Sequence, residues 1–170
     1  MEGVMAERES SSQAFAELLQ RHRAIVFKVA NSWSRHPEDR ADLVQEIAVQ
    51  LWRAWPAYDP ARPFTTWMYR IALNVAIAAG RSASRRPQAD ATLDEMLHDV
   101  ADANATDPAA EQQLRLLQAF IARQAPLDRA LLLLYLEERS QREIGEILGL
   151  SETNVSTRIG RLKRRIRDEL

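Results

Sequence analysis

The C-terminal segment Ser140–Leu170 constrains this chain most. Ser140 and Glu143 stand at capping-box spacing, which starts a helix. Gly149 falls where a helix ends in the left-handed conformation, and Ser151 is placed to cap the next one. Along that second helix Val155, Ile159, Leu162, Ile166 and Leu170 recur at spacings of three and four, forming one apolar stripe. At about 100° per residue, Thr153, Asn154, Thr157, Arg161 and Arg164 fall roughly opposite, with Arg158 and Arg165 on the flank. The small residue Gly145 lies where the two helices must approach closely. The pattern predicts a helix-turn-helix whose second helix buries one face and offers Asn, Thr and Arg on the other. Such a helix can enter a major groove, where Arg binds phosphate or guanine and Asn pairs with adenine. A solvated basic face is the plainer reading of any lone charge run. The paired caps, the glycine turn and Gly145 weigh against it, and they make duplex DNA the expected partner.

Composition narrows the rest. Cysteine is absent, which excludes a disulfide framework and a thiolate metal site. His22, His36 and His98 lack ligand spacing, so neither a metal nor another cofactor is expected. No apolar run is long enough to span a membrane, and Met1–Ser12 lacks a hydrophobic secretion core. A soluble, cytoplasmic protein without membrane insertion is expected. The formal net charge of −1 looks wrong for a DNA binder, but it averages over a segregation. Between Pro87 and Ala110 stand Asp90, Asp94, Glu95, Asp99, Asp102 and Asp107 with no Lys or Arg, and the flanks are correspondingly basic.

The chain divides into residues 13–86, rich in helical periodicity; 87–110, of acidic linker composition; and 111–170, helical again. No strand-like alternation persists, so the expected class is all-α, two small helical domains joined by an acidic linker. In the first domain a helix is expected from about Gln13 to Trp33, with Phe15, Leu18, Leu19, His22, Ile25, Val26 and Val29 inward. A second runs from about Pro37 to Trp55, and Pro60 and Pro63 interrupt the chain after it. A third starts near Thr65 or Thr66, either of which can cap it, and reaches about Arg81. In the linker, Leu93, Met96, Leu97 and Val100 can form a short helix. Helices near Glu111–Gln124 and Leu127–Glu138 complete the second domain, with Ala130–Leu136 its buried core.

Two surfaces of the first domain stand out. On the second helix Leu43, Ile47, Leu51 and Ala54 make the core stripe. Asp42, Glu46, Val49 and Arg53 lie opposite, flanked by Gln45 and Trp52. This face is either a protein-docking surface with an aromatic anchor or a solvated face beside an ordinary core Trp52. Tyr58–Arg86 mixes aromatic and basic residues, a composition suited to unstacked bases and a phosphate track. Trp67, Ile71, Val75 and Ala78 also read as a core stripe. Asn74, on that side, is either a satisfied buried amide or the rim of a pocket.

Taken together, Asp42–Ala54, Tyr58–Asn74 and Ser140–Arg165 resemble three segments of an RNA polymerase sigma factor of the extracytoplasmic-function group, in the sigma-seventy family. The resemblance covers most of residues 13–86 and 111–170. It implies that Asp42, Leu43, Gln45, Glu46, Val49 and Trp52 dock on core RNA polymerase. It implies that Asp59, Arg62, Phe64, Thr65, Thr66, Trp67, Arg70, Asn74 and Arg81 open and read the −10 element. Ser151, Thr153, Asn154, Thr157, Arg158, Arg161, Arg164 and Arg165 would read the −35 element. The partners implied are core polymerase, promoter DNA and an anti-sigma factor, with no small-molecule substrate. The family linker threads the polymerase channel where RNA will pass, and the acidic segment suits that path. Two departures are visible. The family usually has an aspartate four residues after the Asn, where this chain has Ala78. It commonly has Thr before the Val of the recognition helix, where this chain has Asn154.

No nucleophile–base pair, phosphate-cradling glycine loop or metal-ligand spacing is present, so no enzymatic activity is expected. The rival readings are a stand-alone helix-turn-helix transcriptional regulator and a helical protein that binds polymerase or a regulator but no promoter.

Overall fold

The structure, a computed structural model, describes residues 2–83 and 107–170. Among these it contains helices and no strand: α1 (Glu2–Arg21), α2 (Arg23–Trp33), α3 (Pro37–Ala54), a 3₁₀ turn (Trp55–Ala57), α4 (Phe64–Ala83), α5 (Pro108–Ala122), α6 (Pro126–Leu136), α7 (Gln141–Leu148) and α8 (Glu152–Glu169). The short helix expected around Leu93–Val100 lies outside the described residues.

The single helix expected over Gln13–Trp33 is two helices. His22 separates them at φ −111° and ψ 15°. No glycine or proline breaks the chain there; packing does. The His22 ring lies 5.4 Å from that of Phe64. The bend lets Phe15 of α1 reach Trp52 and Trp55, while α2 buries Ile25, Val26, Val29 and Ala30. α3 opens on Pro37, whose fixed φ suits a first helical position. Leu43, Ile47 and Leu51 are its buried stripe, at the spacing the sequence predicts.

α4 departs from expectation at its start and in its buried face. Trp67 N–H donates to the Pro63 carbonyl, so Thr65 and Thr66 lie inside the first turn and neither caps it. Trp67, Ile71 and Val75 are only half-buried and Ala78 is exposed. The buried residues are Phe64, Met68, Tyr69, Ala72, Leu73 and Ala76. The cause is that α4 packs against α2 and α3 and also against α6 and α7. A helix covered from two directions buries a wider arc than a single stripe.

In the second unit α5 begins inside the expected linker, because Asp107 caps it by accepting Ala109 N–H at 3.2 Å and Pro108 follows. Ala130, Leu131, Leu132 and Leu134 of α6 are buried as expected. The helix-turn-helix forms at the predicted residues. Ser140 Oγ accepts Glu143 N–H at 3.1 Å, and Ser151 Oγ accepts Asn154 N–H at 3.1 Å. The Glu143 carboxylate itself turns to Arg139, 3.7 Å away. Gly149 takes the left-handed conformation at φ 70°. Val155, Ile159 and Leu162 are buried and Ile166 is half-buried, but Leu170 is 50% exposed, so the stripe stops a turn early.

Gly145 is the contact point of the motif. A Cβ there would lie 2.6 Å from the Leu150 carbonyl oxygen, a backbone atom that cannot swing aside. At Gly160, exposed on α8, a Cβ would meet nothing within 4 Å. Intrinsic propensity favours Ala over Gly in a helix by roughly 0.5–1 kcal/mol. Gly160→Ala should therefore raise the thermal midpoint, and Gly145→Ala should lower it despite the same propensity gain. Circular dichroism melts of the two variants test this, and a rise for Gly145→Ala would disprove the close approach.

Candidate nucleic-acid interface

The face of α8 opposite its buried stripe carries Thr153, Asn154, Thr157, Arg161 and Arg164, all exposed. Arg161 and Arg164 form no ion pair among the described residues. The flanking arginines are engaged within the unit instead. Arg158 donates Nε–H to Asn154 Oδ1 at 2.9 Å, and its Nη1 lies 3.4 Å from Asp128 Oδ1. Arg165 donates to Gln124 Oε1 at 2.9 Å, covers the Phe120 ring at 5.4 Å and approaches Glu169 at 3.7 Å. Ser151, an expected DNA contact, spends its hydroxyl on the helix cap.

The α3 face is open as well. Asp42, Gln45 and Glu46 are exposed, Val49 is 37% exposed and Trp52 50% exposed. Trp52 is not an ordinary core residue: its ring leans on Phe15 at 5.3 Å and leaves half its area to solvent. Leu43, expected among the docking residues, is 5% exposed and belongs to the core, because it lies on the stripe with Ile47 and Leu51.

The loop between the 3₁₀ turn and α4 stands on an aromatic cluster. Trp55 and Tyr58 stack with centroids 5.3 Å apart and planes at 17°. Trp67 packs on Tyr58 at 5.0 Å and on Phe64 at 5.4 Å. Tyr58 Oη donates to the Arg62 carbonyl at 2.8 Å, and Asp59 Oδ1 accepts Ala61 N–H at 2.9 Å. Phe64, expected to face the −10 strand, is 8% exposed and serves as the cluster's floor. Thr65, Thr66 and Trp67 are half-buried beside it, while Asp59 and Arg62 are exposed. Along α4 the exposed residues Arg70, Asn74, Ala78 and Arg81 recur at helical spacing as one outward stripe. Asn74 borders an open groove shared with Glu46, Gln50 and Ile71, so it is a rim residue rather than a buried amide. Sequence reasoning missed Trp55, whose Nε1–H donates to Ser11 Oγ at 2.9 Å and ties α1 to the loop's base. Its place between Trp52 and Tyr58, just before Pro56, was the available signal.

A seam joins the two units. Lys28 Nζ pairs with Glu137 Oε2 at 2.6 Å, Arg139 covers the Tyr69 ring at 5.2 Å, and Arg129 covers the Trp33 ring at 5.5 Å. Trp33 Nε1, Arg129 Nε and Arg139 Nε are buried there without a hydrogen-bond partner. Each such orphan costs about 1–3 kcal/mol. Burial pushes the Tyr69 phenol above its ordinary value, Glu137 adds to the rise, and Arg139 and Lys28 oppose it. Burial, then the nearby Arg35 charge, lowers Arg129. α8 packs on α6 and α7, so its polar face stays clear of the seam. Among the described residues no His, Asp and Glu side chains gather to hold a metal ion. No helix among them is long and apolar enough to cross a membrane.

A capped helix-turn-helix with an open basic face, tethered to a helical unit with exposed aromatic and cationic side chains, defines a two-part DNA-binding protein. The sigma-70 region 2 family model matches residues 18–86, and the sigma-70 region 4 family model matches residues 114–166. The RNA polymerase sigma factor CnrH of Cupriavidus metallidurans is 33% identical over 174 residues, covering 96% of this chain and 90% of that protein. The ECF RNA polymerase sigma factor SigW of Bacillus subtilis is 26% identical, covering 96% of this chain and 92% of that protein. The solved structure of CnrH in complex with the cytosolic domain of CnrY superposes with a TM-score of 0.66 at 26% identity, over 95% of this chain and 92% of that one. RpoE of Bartonella quintana, solved with the anti-sigma factor NepR, shares the fold at a TM-score of 0.72 and 16% identity, over 92% of this chain and 96% of that one. The chain belongs to the sigma-70 family, in its extracytoplasmic-function group. It is an alternative sigma factor that directs transcription, and sigma factors are initiation factors rather than enzymes.

The raised Tyr69 phenol has a pH consequence. Its contribution to stability is fully present below the unfolded value of 10.0 and is lost as pH rises through the folded value, because the unfolded chain releases that proton first. Tyr69→Phe should therefore lose less stability than the parent protein when melts at neutral pH and above pH 10 are compared. Equal alkaline losses in the two proteins would assign the effect elsewhere.

Proposed function

We propose that the two units divide promoter recognition between them. Residues 13–86 bind core polymerase and open the −10 element, residues 87–110 link, and residues 111–170 read the −35 duplex. The observation that carries this reading is the polar face of α8, which stays open to solvent while the units are packed together. Arg161 and Arg164 supply phosphate and base contacts from it, and Thr153, Asn154 and Thr157 face the base edges.

Core polymerase docks on Asp42, Gln45, Glu46, Val49 and Trp52, an exposed aromatic anchor beside carboxylates, with Leu43 supporting them from beneath. The −10 strand follows Asp59, Arg62, Thr65, Thr66, Trp67, Arg70, Asn74 and Arg81, over the aromatic cluster that Phe64 floors. Extruding a base costs a few kcal/mol, offset by stacking and by the cationic path. The orphaned polar atoms of the seam favour separation of the units when both promoter elements are engaged. No step requires a covalent bond to be made or broken by this chain, and the site of action is the cytoplasm. The fold it shares with sigma factors solved beside CnrY and NepR supports an anti-sigma factor as a further partner.

Mixing the purified chain with core polymerase and promoter DNA should give promoter-specific transcripts. DNA binding that needs no core would instead favour a stand-alone regulator, and core binding without initiation a decoy. Glu46→Lys should weaken core association about tenfold, about 1.4 kcal/mol, and leave the melting curve intact. Arg161→Ala should weaken −35 binding and reduce the salt slope by about 1, the mark of one lost phosphate contact. An unchanged slope would remove Arg161 from the phosphate path.

A further inference from the structure

The first turn of α8 holds a side-chain relay that starts outside the helix-turn-helix. Asp128, in the first turn of α6, has a side chain only 16% exposed. Its Oδ1 lies 3.4 Å from Arg158 Nη1, and the Arg158 side chain is 32% exposed. Arg158 Nε in turn donates to Asn154 Oδ1 at 2.9 Å. A guanidinium only donates, so the atom it meets on Asn154 must be the carbonyl oxygen. The Asn154 backbone N–H is also committed, to Ser151 Oγ at 3.1 Å. The Nδ2 hydrogens have no partner among the described residues.

This geometry matters because Asn usually reads adenine by a bidentate contact, its oxygen accepting from N6 and its nitrogen donating to N7. That contact needs both amide atoms turned to one base edge. Here the oxygen is held toward Arg158 by a charge-assisted bond, which leaves only the donor for the groove. A lone donor favours guanine, which offers two major-groove acceptors in O6 and N7; adenine and thymine each offer one, N7 or O4, adenine's N6 amino group is left without its acceptor, and the cytosine amino group gains nothing. Asn154 is the third residue of α8, in the N-terminal stretch with which recognition helices touch base edges.

We propose that Asp128 is a positioning residue for base selection: through Arg158 it turns the Asn154 amide so that its NH₂ group meets the DNA, and α8 selects guanine over adenine at that base pair. The proposal rests on the reading of α8 as the −35 helix and deepens it. A second consequence follows for Arg158. Its charge is matched by Asp128 inside the unit, so it adds little to the phosphate track that Arg161 and Arg164 supply.

The test uses holoenzyme assembled from the full chain and core polymerase, and a pool of promoter duplexes randomised through the −35 element. Wild type should select guanine over adenine at one base pair, and Asn154→Ala should erase the preference at that pair alone. Asp128→Asn and Arg158→Met should each move the preference there toward adenine by about fivefold or more, the low end of one good base contact. Asp128→Asn should also raise non-specific affinity and steepen its salt dependence, since it frees Arg158 for phosphate. Arg158→Met should leave the salt slope nearly unchanged. If Asp128→Asn weakens binding to all sequences equally and leaves the base profile as it was, Asp128 merely supports α6 and the proposal is overturned. A wild-type preference for adenine at the Asn154 pair overturns it too. Should Asp128→Asn fail to fold, Arg158→Met decides, with an unmoved profile counting against the relay. If Arg161→Ala and Asn154→Ala both leave the selected pool unchanged, α8 does not read the −35 element and both readings fall. If those two variants act and the relay variants do not, only the relay is lost.

Discussion

The two-sided burial of α4 is the interaction on which the rest depends. Met68, Ala72, Leu73 and Ala76 are fully buried, and Tyr69 nearly so, because helices of both units close over them. Only a narrow arc is left for solvent, and that arc carries Arg70, Asn74 and Arg81. The same packing that makes α4 the spine of the first unit thus sets where its polar residues can point. It also fixes the base of the loop ahead of it, since Phe64 and Trp67 are at once the first turn of α4 and members of the aromatic cluster. A loop held by stacked rings and by the Tyr58 and Asp59 hydrogen bonds is pre-organised, so little ordering entropy is left for any binding event there to cost.

Charge is organised on the same principle of separating what must be open from what must be fixed. The net charge of −1 says little about any one surface. On α8, Arg158 reaches Asp128 and Arg165 reaches Gln124, and these two contacts fasten the helix to its neighbours. Arg161 and Arg164 remain for solvent. Four arginines at similar spacing therefore do two different jobs, and only neighbouring helices decide which arginine does which.

That division marks how far the sequence could be read. The helix-turn-helix was legible in detail, because Ser140, Gly145, Gly149 and Ser151 act locally: each is required by a cap, a close approach or a positive φ within a few residues. The α3 stripe was legible for the same reason, being a one-sided helix with a clean period. α4 was not, since a helix covered from two directions has no single inner face to find. The break at His22 was invisible because it is imposed by Phe64 and by the reach of Phe15 to two tryptophans, all distant in sequence. Leu43 and Phe64 were placed at surfaces by resemblance to a motif, which says that a residue belongs to a site but not whether it touches the partner or holds up the residue that does.

The seam between the units joins apolar closure to directional polar contacts. Two cations over aromatic rings and one ion pair fix how the halves meet, and each has directional demands that a purely apolar contact lacks. Yet the ion pair is half-exposed on the lysine side, where such pairs contribute little. Trp33, Arg129 and Arg139 each bury a nitrogen that gains nothing there and would regain water on separation. Parting the units would return water to those three nitrogens but strip α6 and α7 from the apolar face of α4, so the closed form is held by that apolar burial and oriented by the polar contacts.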